Sequence, residues 1–258
     1  MRYCLLASGS KGNAAIIESG NTRLLVDAGL SLRELQRRMQ EVGVDAASLD
    51  AVLISHEHSD HVRGLGPLQR RFGLPVYLHA GLHTCLADKD LPGGVQEFET
   101  GCRWQLGELE VEAFPVTHDA MAPVGFTFSS EVGKVGIATD LGIATRLVEQ
   151  HLHGCRALVL EANHDEEMLR DGPYPWPLKQ RVRSSHGHLS NTAASQLLDK
   201  LLWDGLESIT LAHLSESNNL PDLACRAIGA MLEGQNLCSP ALMVASQHQP
   251  TNWVELSG

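Results

Sequence analysis

Short apolar runs separated by Gly, Ser and Asn open the chain. Tyr3–Ala7, Ala14–Glu18 and Arg23–Asp27 each gather apolar or β-branched residues, and turn-forming residues divide them. Such runs read as strands. The period then changes. Ser31-Leu32-Arg33-Glu34 sets a hydroxyl three residues ahead of a carboxylate, a capping box that opens a helix. Leu32, Leu35, Met39 and Val42 follow at helical spacing, and Gly43 ends the helix. Ala51–Ser55 predicts a buried strand feeding a polar loop, and Pro75–His79 a further strand. Residues 95–138 read as antiparallel strands broken by Gly and Pro. Beyond Asp140, helix and strand alternate. Arg146–His151, Thr192–Leu202 and Leu220–Leu232 predict helices, while Ala157–Glu161, Ser208–His213 and Ala241–Ser246 predict strands. The pattern predicts an α/β (α+β) chain with mostly antiparallel strands, two packed sheets and helices outside. We expect one domain over 1–258, its two halves meeting near residue 130.

The 258 residues are 43% hydrophobic and 20% charged, enough for a large core and unlike a disordered chain. No stretch approaches the roughly 18–20 uncharged apolar residues of a membrane span. The N-terminal apolar run is shorter than a signal-peptide core of about 7–15 residues, so a cytoplasmic location is expected. The six cysteines are scattered without a CxxC pair and read as small buried hydrophobes. The net charge of −11 argues against a broad electrostatic grip on nucleic acid. Two features would soften that argument: carboxylates offset by cations, and local basic clusters. The thirteen histidines are unevenly spread and change the picture most.

His56-Glu57-His58-Ser59-Asp60-His61 follows the predicted strand Ala51–Ser55. Four nitrogen or oxygen ligands in so short a loop exceed what one ion requires. His56 and His58, two apart, can point the same way in extended backbone, with Asp60 and His61 turned to another side. That favours two adjacent divalent ions. Three more candidates end strand-like segments: His118, Asp140 and His213. A ligand at a strand end is held rigidly, as a metal site requires.

In this order, HxHxDH at 56–61 followed by His118, Asp140 and His213 resembles the metallo-β-lactamase superfamily. The resemblance covers nearly the whole chain and implies a four-layer αβ/βα sandwich, two mixed sheets flanked by helices, with a dinuclear site at one edge. It implies that His56, His58 and His118 hold one metal, that Asp60, His61 and His213 hold the other, and that Asp140 bridges them. The family pattern also puts an Asp behind the site at the end of an early strand. Asp27 matches, either orienting a histidine or the motif loop, or simply starting the turn before Gly29. Asp rather than Cys at 140 and the lack of a secretion signal argue against a periplasmic β-lactamase. His rather than Glu at 58 argues against the di-iron oxygen-reducing branch, and the length argues against the lobed β-CASP nucleases. Ser8–Asn13, Glu161–Asp165, Gly187–Asn191 and His213–Asn219 resemble the YycJ/WalJ group of metallo-hydrolases. That resemblance implies 5′-to-3′ DNA exonuclease activity.

Lys179, Arg181, Arg183 and His186 form a basic stretch, and no acidic residue occurs between Gly172 and Leu198. This is where a phosphate backbone would bind, with Tyr174 and Trp176 upstream to stack bases. The alternative is a solvated basic helix with a packing Trp. His188 precedes a helix expected to start near Asn191, and helix N-termini favour anions. His188 is therefore a candidate to hold the scissile phosphate or protonate the leaving oxygen, with His186 a weaker candidate and Asn191 a further substrate contact. Asn13 in the Gly-rich loop could meet substrate, and His164 could support the site or touch substrate. His79, His83, His151, His153 and His248 have no ligand-like context.

The implied reaction is phosphodiester hydrolysis by water activated between two divalent ions, Zn²⁺, Mn²⁺ or Fe²⁺. Asp60 and Asp140 would hold the ions and could accept the water's proton. DNA is the expected partner, with a possible repair role. A hydrolase of a small substrate (cyclic nucleotide, thioester or lactone) is the rival reading, and a non-catalytic metal-binding protein the third. Steep salt dependence marks the first, and absence of turnover with any metal marks the third.

Overall fold

The computed structural model describes residues 1–86, 89 and 91–257. Its strands form two seven-stranded sheets. The first contains β1 (Arg2–Ala7), β2 (Ala14–Ser19), β3 (Thr22–Val26), β4 (Ala51–Leu53), β5 (Val76–His79) and β6 (Val95–Phe98). The second contains β7 (Arg103–Leu106), β8 (Leu109–Pro115), β9 (Val124–Ser130), β10 (Gly133–Ala138), β11 (Ala157–Glu161), β12 (Ser208–Ala212) and β13 (Ala241–Val244). β14 (Val254–Glu255) returns to pair with β1 at the edge of the first sheet. Each sheet is antiparallel on one side and parallel on the other: β3 to β6 run parallel, as do β10 to β13.

Alternation along each strand separates the layers. In β1, Tyr3 and Leu5 enter the core between the sheets, where they join Phe126, Phe128 and Val159. Cys4 and Leu6 face the other way, under α1 (Leu32–Glu41) and α3 (Leu65–Phe72). The outer face of the second sheet is covered by α4 (Arg146–Leu152), α7 (Asn191–Leu201) and α8 (Pro221–Glu233). The result is helices, sheet, sheet, helices. The one-turn α2 (Ser59–Val62), α5 (Glu166–Asp171) and α6 (Trp176–Val182) lie in loops at the strand ends.

α1 starts as the sequence predicts, with Ser31 Oγ accepting from Glu34 N at 3.3 Å. The reciprocal half of the capping box is replaced. Glu34 turns to Arg37 and Arg38, and the nearby guanidinium of Arg37 holds its carboxyl down at about 2. Gly43 ends the helix with φ +76°, a left-handed angle that suits glycine.

Three expectations are corrected. Strands are not mostly antiparallel, because β6 pairs parallel with β5 and the later crossovers add three parallel pairs. The chain changes sheet between Phe98 and Arg103, not near 130, where Ser130–Gly133 is only the β9–β10 hairpin. The strand expected over Ala241–Ser246 ends at Val244. Among the described residues, no helix is long and apolar enough to cross a membrane.

Candidate active site

Parallel strands bring their carboxyl ends to one edge of the sandwich, the usual place for a site in such sheets. Asp27 follows β3, Ser55 and His56 follow β4, and His118 lies just past β8. Asp140 lies past β10, Glu161 ends β11, and His213 follows β12. Asp27, Asp140 and His213 all have left-handed backbone, with φ of 60°, 56° and 54°. Non-glycine residues adopt this at a cost of roughly 1–3 kcal/mol and cluster where function requires it. The left-handed bend turns each side chain off its strand into the centre.

The motif loop divides its ligands. His58 precedes the single turn of α2, which carries Asp60 and His61 back toward the sheet. Asp60 O accepts from Asn13 N at 2.8 Å, and His61 O accepts from Ala28 N at 2.7 Å. Gly29 permits this approach, since a Cβ there would lie 1.6 Å from Asp60 O. Two triplets result. The ligand atoms of His56, His58 and His118 lie within 4.8 Å of one another, as do those of Asp60, His61 and His213. Asp140 stands between them, with Oδ1 3.7 Å from His118 Nε2 and Oδ2 3.2 Å from His61 Nε2.

Hydrogen bonds on the far side of each ring aim the near side. His61 Nδ1 donates to Asp27 Oδ2 at 2.7 Å. Ser55 Oγ donates to the same carboxylate and accepts from His56 Nδ1 at 3.0 Å. His118 Nδ1 donates to Gly187 O at 3.1 Å, and His213 Nδ1 to Glu161 Oε1 at 2.9 Å. Each Nε2 thereby faces the centre, as in metal-ligating histidines, although that of His61 also lies 3.0 Å from Asn13 Nδ2. His56 Nε2, His213 Nε2 and Asp140 Oδ2 are buried without a hydrogen-bond partner among the described residues. Orphaned buried nitrogen and oxygen atoms facing one another are what divalent cations would satisfy, so this donor set fits them.

The electrostatics agree. Burial pushes His56 well below its usual pKa, and the neighbouring His61 adds to this. Burial also lowers His118. His61 behaves oppositely: burial resists its charge, but Asp27 and Asp140 outweigh burial and raise it to about 10. His213 is raised well above normal in the same way, against burial, by Asp140, Asp60 and Glu161. Asp140 is held well below the usual range despite full burial, because His213 and His61 flank it. Three buried carboxylates, Asp27, Asp140 and Glu161, with the largely buried Asp60 beside them, leave a centre that calls for positive charge.

The sequence did not single out Glu161. It takes Nδ1 of both His213 and His188 on one oxygen, at 2.9 and 2.8 Å. Its other oxygen accepts from Leu141 N at 2.7 Å and Leu189 N at 3.3 Å. The available signal was an acid closing the apolar run Ala157–Leu160. Ser55, Ser8 (which accepts from His213 N at 2.7 Å) and Asp119 were also missed.

Other candidates fall differently. Asn13 is buried, its amide turned onto Gly9 O (3.2 Å) and His61 Nε2 (3.0 Å), so it braces the loop and is not an open substrate contact. Asn191 is buried and pairs both ways with Asn219, at 2.9 and 2.8 Å, which removes it from a substrate role too. His164 is buried outside the clustered donors, its backbone bridged to Ser190. Lys179 Nζ donates to Arg170 O at 2.6 Å. Arg181 is tied to Asp119 at 2.6 Å, while Arg183 and His186 are exposed. His188 lines a cleft of ≈ 270 Å³ beside the centre, with Tyr174 and Arg181 also on its wall, whereas Trp176 is 64% exposed outside it. A larger hollow of ≈ 750 Å³, around Gly20 and Glu108, lies at the other end of the strands and holds none of these donors.

Residues 22–205 match the family described as the β-lactamase superfamily domain. The chain is 37% identical over 228 residues to the exodeoxyribonuclease WalJ of Streptococcus pneumoniae serotype 2, strain D39, covering 86% of this chain and 85% of that protein. It is 37% identical over 238 residues to the exodeoxyribonuclease YycJ of Bacillus anthracis, covering 90% and 89%. The metallo-β-lactamase fold protein YhfI of Bacillus subtilis superposes with a TM-score of 0.74 over 97% of this chain and 98% of that one, at 18% identity, and so shares the fold. This sequence therefore belongs to the metallo-β-lactamase superfamily, and within it to the WalJ/YycJ group.

Proposed function

We propose that the protein is a metal-dependent phosphodiester hydrolase that removes nucleotides from DNA ends in the 5′-to-3′ direction. The observation that carries this reading is the convergence of seven donor side chains, three of which, His56, His213 and Asp140, turn a buried nitrogen or oxygen without a partner among the described residues toward the same centre. The names of its 37%-identical relatives supply the substrate class. His56, His58 and His118 would hold one divalent ion, Asp60, His61 and His213 another, and Asp140 would lie between them. Two such ions, Zn²⁺, Mn²⁺ or Fe²⁺, would lower the pKa of water and neutralise negative charge building on the phosphoryl oxygens.

The chain's own residues complete the reaction. Asp27 and Glu161 fix the tautomers of His61 and His213 by accepting their Nδ1 protons. His188, also held through Nδ1 by Glu161, keeps Nε2 free to give a proton to the leaving oxygen. In an acidic chain, Arg183 and His186, both exposed, would meet the DNA backbone.

The test uses metal-stripped protein re-supplied with Mn²⁺ or Zn²⁺ and given single-stranded and duplex DNA labelled at either end. Metal-dependent loss of nucleotides from 5′ ends, abolished in Asp140→Ala, is the expected result. Metal-loaded protein that cuts neither DNA would move the assignment to a hydrolase of a small substrate.

A further inference from the structure

The cleft beside His188 adjoins the clustered donors, and His188 itself falls in one possible ligand group with Asp140, Glu161 and His213. Its ≈ 270 Å³ lies just under the roughly 300–1,000 Å³ of sites that enclose drug-sized ligands. That space suits one nucleoside. One wall comes from Tyr174 and from Leu178 and Val182, one helical turn apart at the end of α6. An aromatic ring beside aliphatic side chains is a surface on which any base can stack. Arg181 borders the same space, its guanidinium fixed by Asp119 at 2.6 Å. Asn163 adds a polar edge, its amide already donating to His213 O at 2.8 Å.

His188 joins this cleft to the centre. It lines the cleft, while its Nδ1 is 3.8 Å from Asp140 Oδ1 and 2.8 Å from Glu161 Oε1. A nucleoside seated against Tyr174 would present its 3′-oxygen on the His188 side of the clustered donors. The long basic side chains that could follow a strand, Arg183 above all, lie beyond the cleft at the surface.

We propose that this cleft is a single-nucleotide subsite that seats the leaving nucleotide, so that the enzyme releases one nucleotide per cut. The inference rests on the phosphodiesterase reading above and deepens it. In each cut a water oxygen bonds to phosphorus, and the bond from phosphorus to the 3′-oxygen of the terminal nucleotide breaks. Of the two water protons, one ends on that 3′-oxygen and one on the new phosphate oxygen. The shortened strand keeps the phosphate, and the mononucleotide departs from the cleft with a free 3′-hydroxyl.

The test compares metal-loaded full-length wild type with Leu178→Trp, which fills the cleft, and Tyr174→Ala, which removes its aromatic wall. The Tyr174 truncation guards against misfolding of the filled variant. Two substrates are used: duplex DNA labelled at the 5′ end, and bis(p-nitrophenyl) phosphate, a diester with no nucleoside. The first labelled product of the wild type should be a mononucleotide at every time point. In both variants the ratio of DNA cleavage to small-diester hydrolysis should fall by roughly tenfold or more, in Tyr174→Ala mainly through KM. First products of two or more nucleotides, or an unchanged ratio in Tyr174→Ala, would overturn the subsite. Failure of the wild type to hydrolyse either diester would instead overturn the phosphodiesterase reading, and the subsite with it.

Discussion

Replacing Glu161 by glutamine isolates what holds the site together. The side chain is fully buried, and its carboxylate collects four donors: Nδ1 of His188 and His213, and the backbone N–H of Leu141 and Leu189. Glutamine has nearly the same shape but only one oxygen. If its NH₂ faces Leu141 and Leu189, donor meets donor. If it faces the two imidazoles, each must accept at Nδ1 and carry its proton on Nε2, where His213 can no longer take an ion. Hydrogen bonds to charged groups contribute roughly 1.5–3 kcal/mol each. Breaking a buried charged pair costs about 3–5 kcal/mol. Loss of a partner that orients a ligating histidine weakens metal binding about 10–100-fold. Glu161→Gln should therefore bind metal about 10–100-fold more weakly in competition with a chromogenic chelator. Its metal-free form should melt about 6–20 °C lower, at about 2–4 °C per kcal/mol. The pH dependence has a defined sign. Burial alone would raise the Glu161 carboxyl, but His188 and His213 hold it below the usual range. It thus stabilises the metal-free fold above the unfolded carboxyl's pKa, and that stability is lost as pH falls through the folded value. The variant should lack this acid limb. Wild-type metal affinity and melting temperature in Glu161→Gln would show that Glu161 does not orient His213 and His188.

Other perturbations read other parts of the structure. In the metal-free protein the His61–Asp27 pair keeps His61 protonated up to about pH 10, so an ion at Nε2 must displace a proton. Metal uptake at pH 8 should release protons into a weakly buffered indicator solution, and apparent affinity should rise with pH toward 10; uptake without release contradicts this. Gly29→Ala would drive a Cβ to 1.6 Å from Asp60 O. It should cost about 1–3 kcal/mol of stability by calorimetry and weaken metal binding, and a wild-type profile would show that the loop yields freely. Arg183 is exposed and has no ion-pair partner among the described residues, so Arg183→Ala should keep its metal while the log–log salt slope of DNA binding drops by about 1. An unchanged slope would remove Arg183 from the DNA path.

Much of this architecture is legible in the sequence because its signals are local. HxHxDH within one loop, and single acids or histidines ending apolar runs, read directly as donors on strand ends. Alternation in Tyr3–Leu6 assigns opposite faces without any tertiary information. What the sequence hides is long-range. Glu161 gains its role only when His188 and His213, 27 and 52 positions away, arrive on its oxygen. Asn13 and Asn191 look like loop polar groups until burial consumes their amides. β6 has the composition of its antiparallel neighbours, and only its pairing with β5 shows that it belongs to the first sheet. β14 is two residues long, too short for any periodic pattern.

If the two metal triplets sharing Asp140 form one hydrolytic centre, metal binding and cleavage must rise together. The most direct measurement titrates metal-free protein with Mn²⁺ while following bound metal and nucleotide release from end-labelled duplex DNA in the same samples. Two equivalents should bind, activity should saturate as the second is filled, and Asp140→Ala should lose both. DNA cleavage that persists in fully metal-free protein, or full activity in Asp140→Ala, would show that these triplets are not the hydrolytic centre.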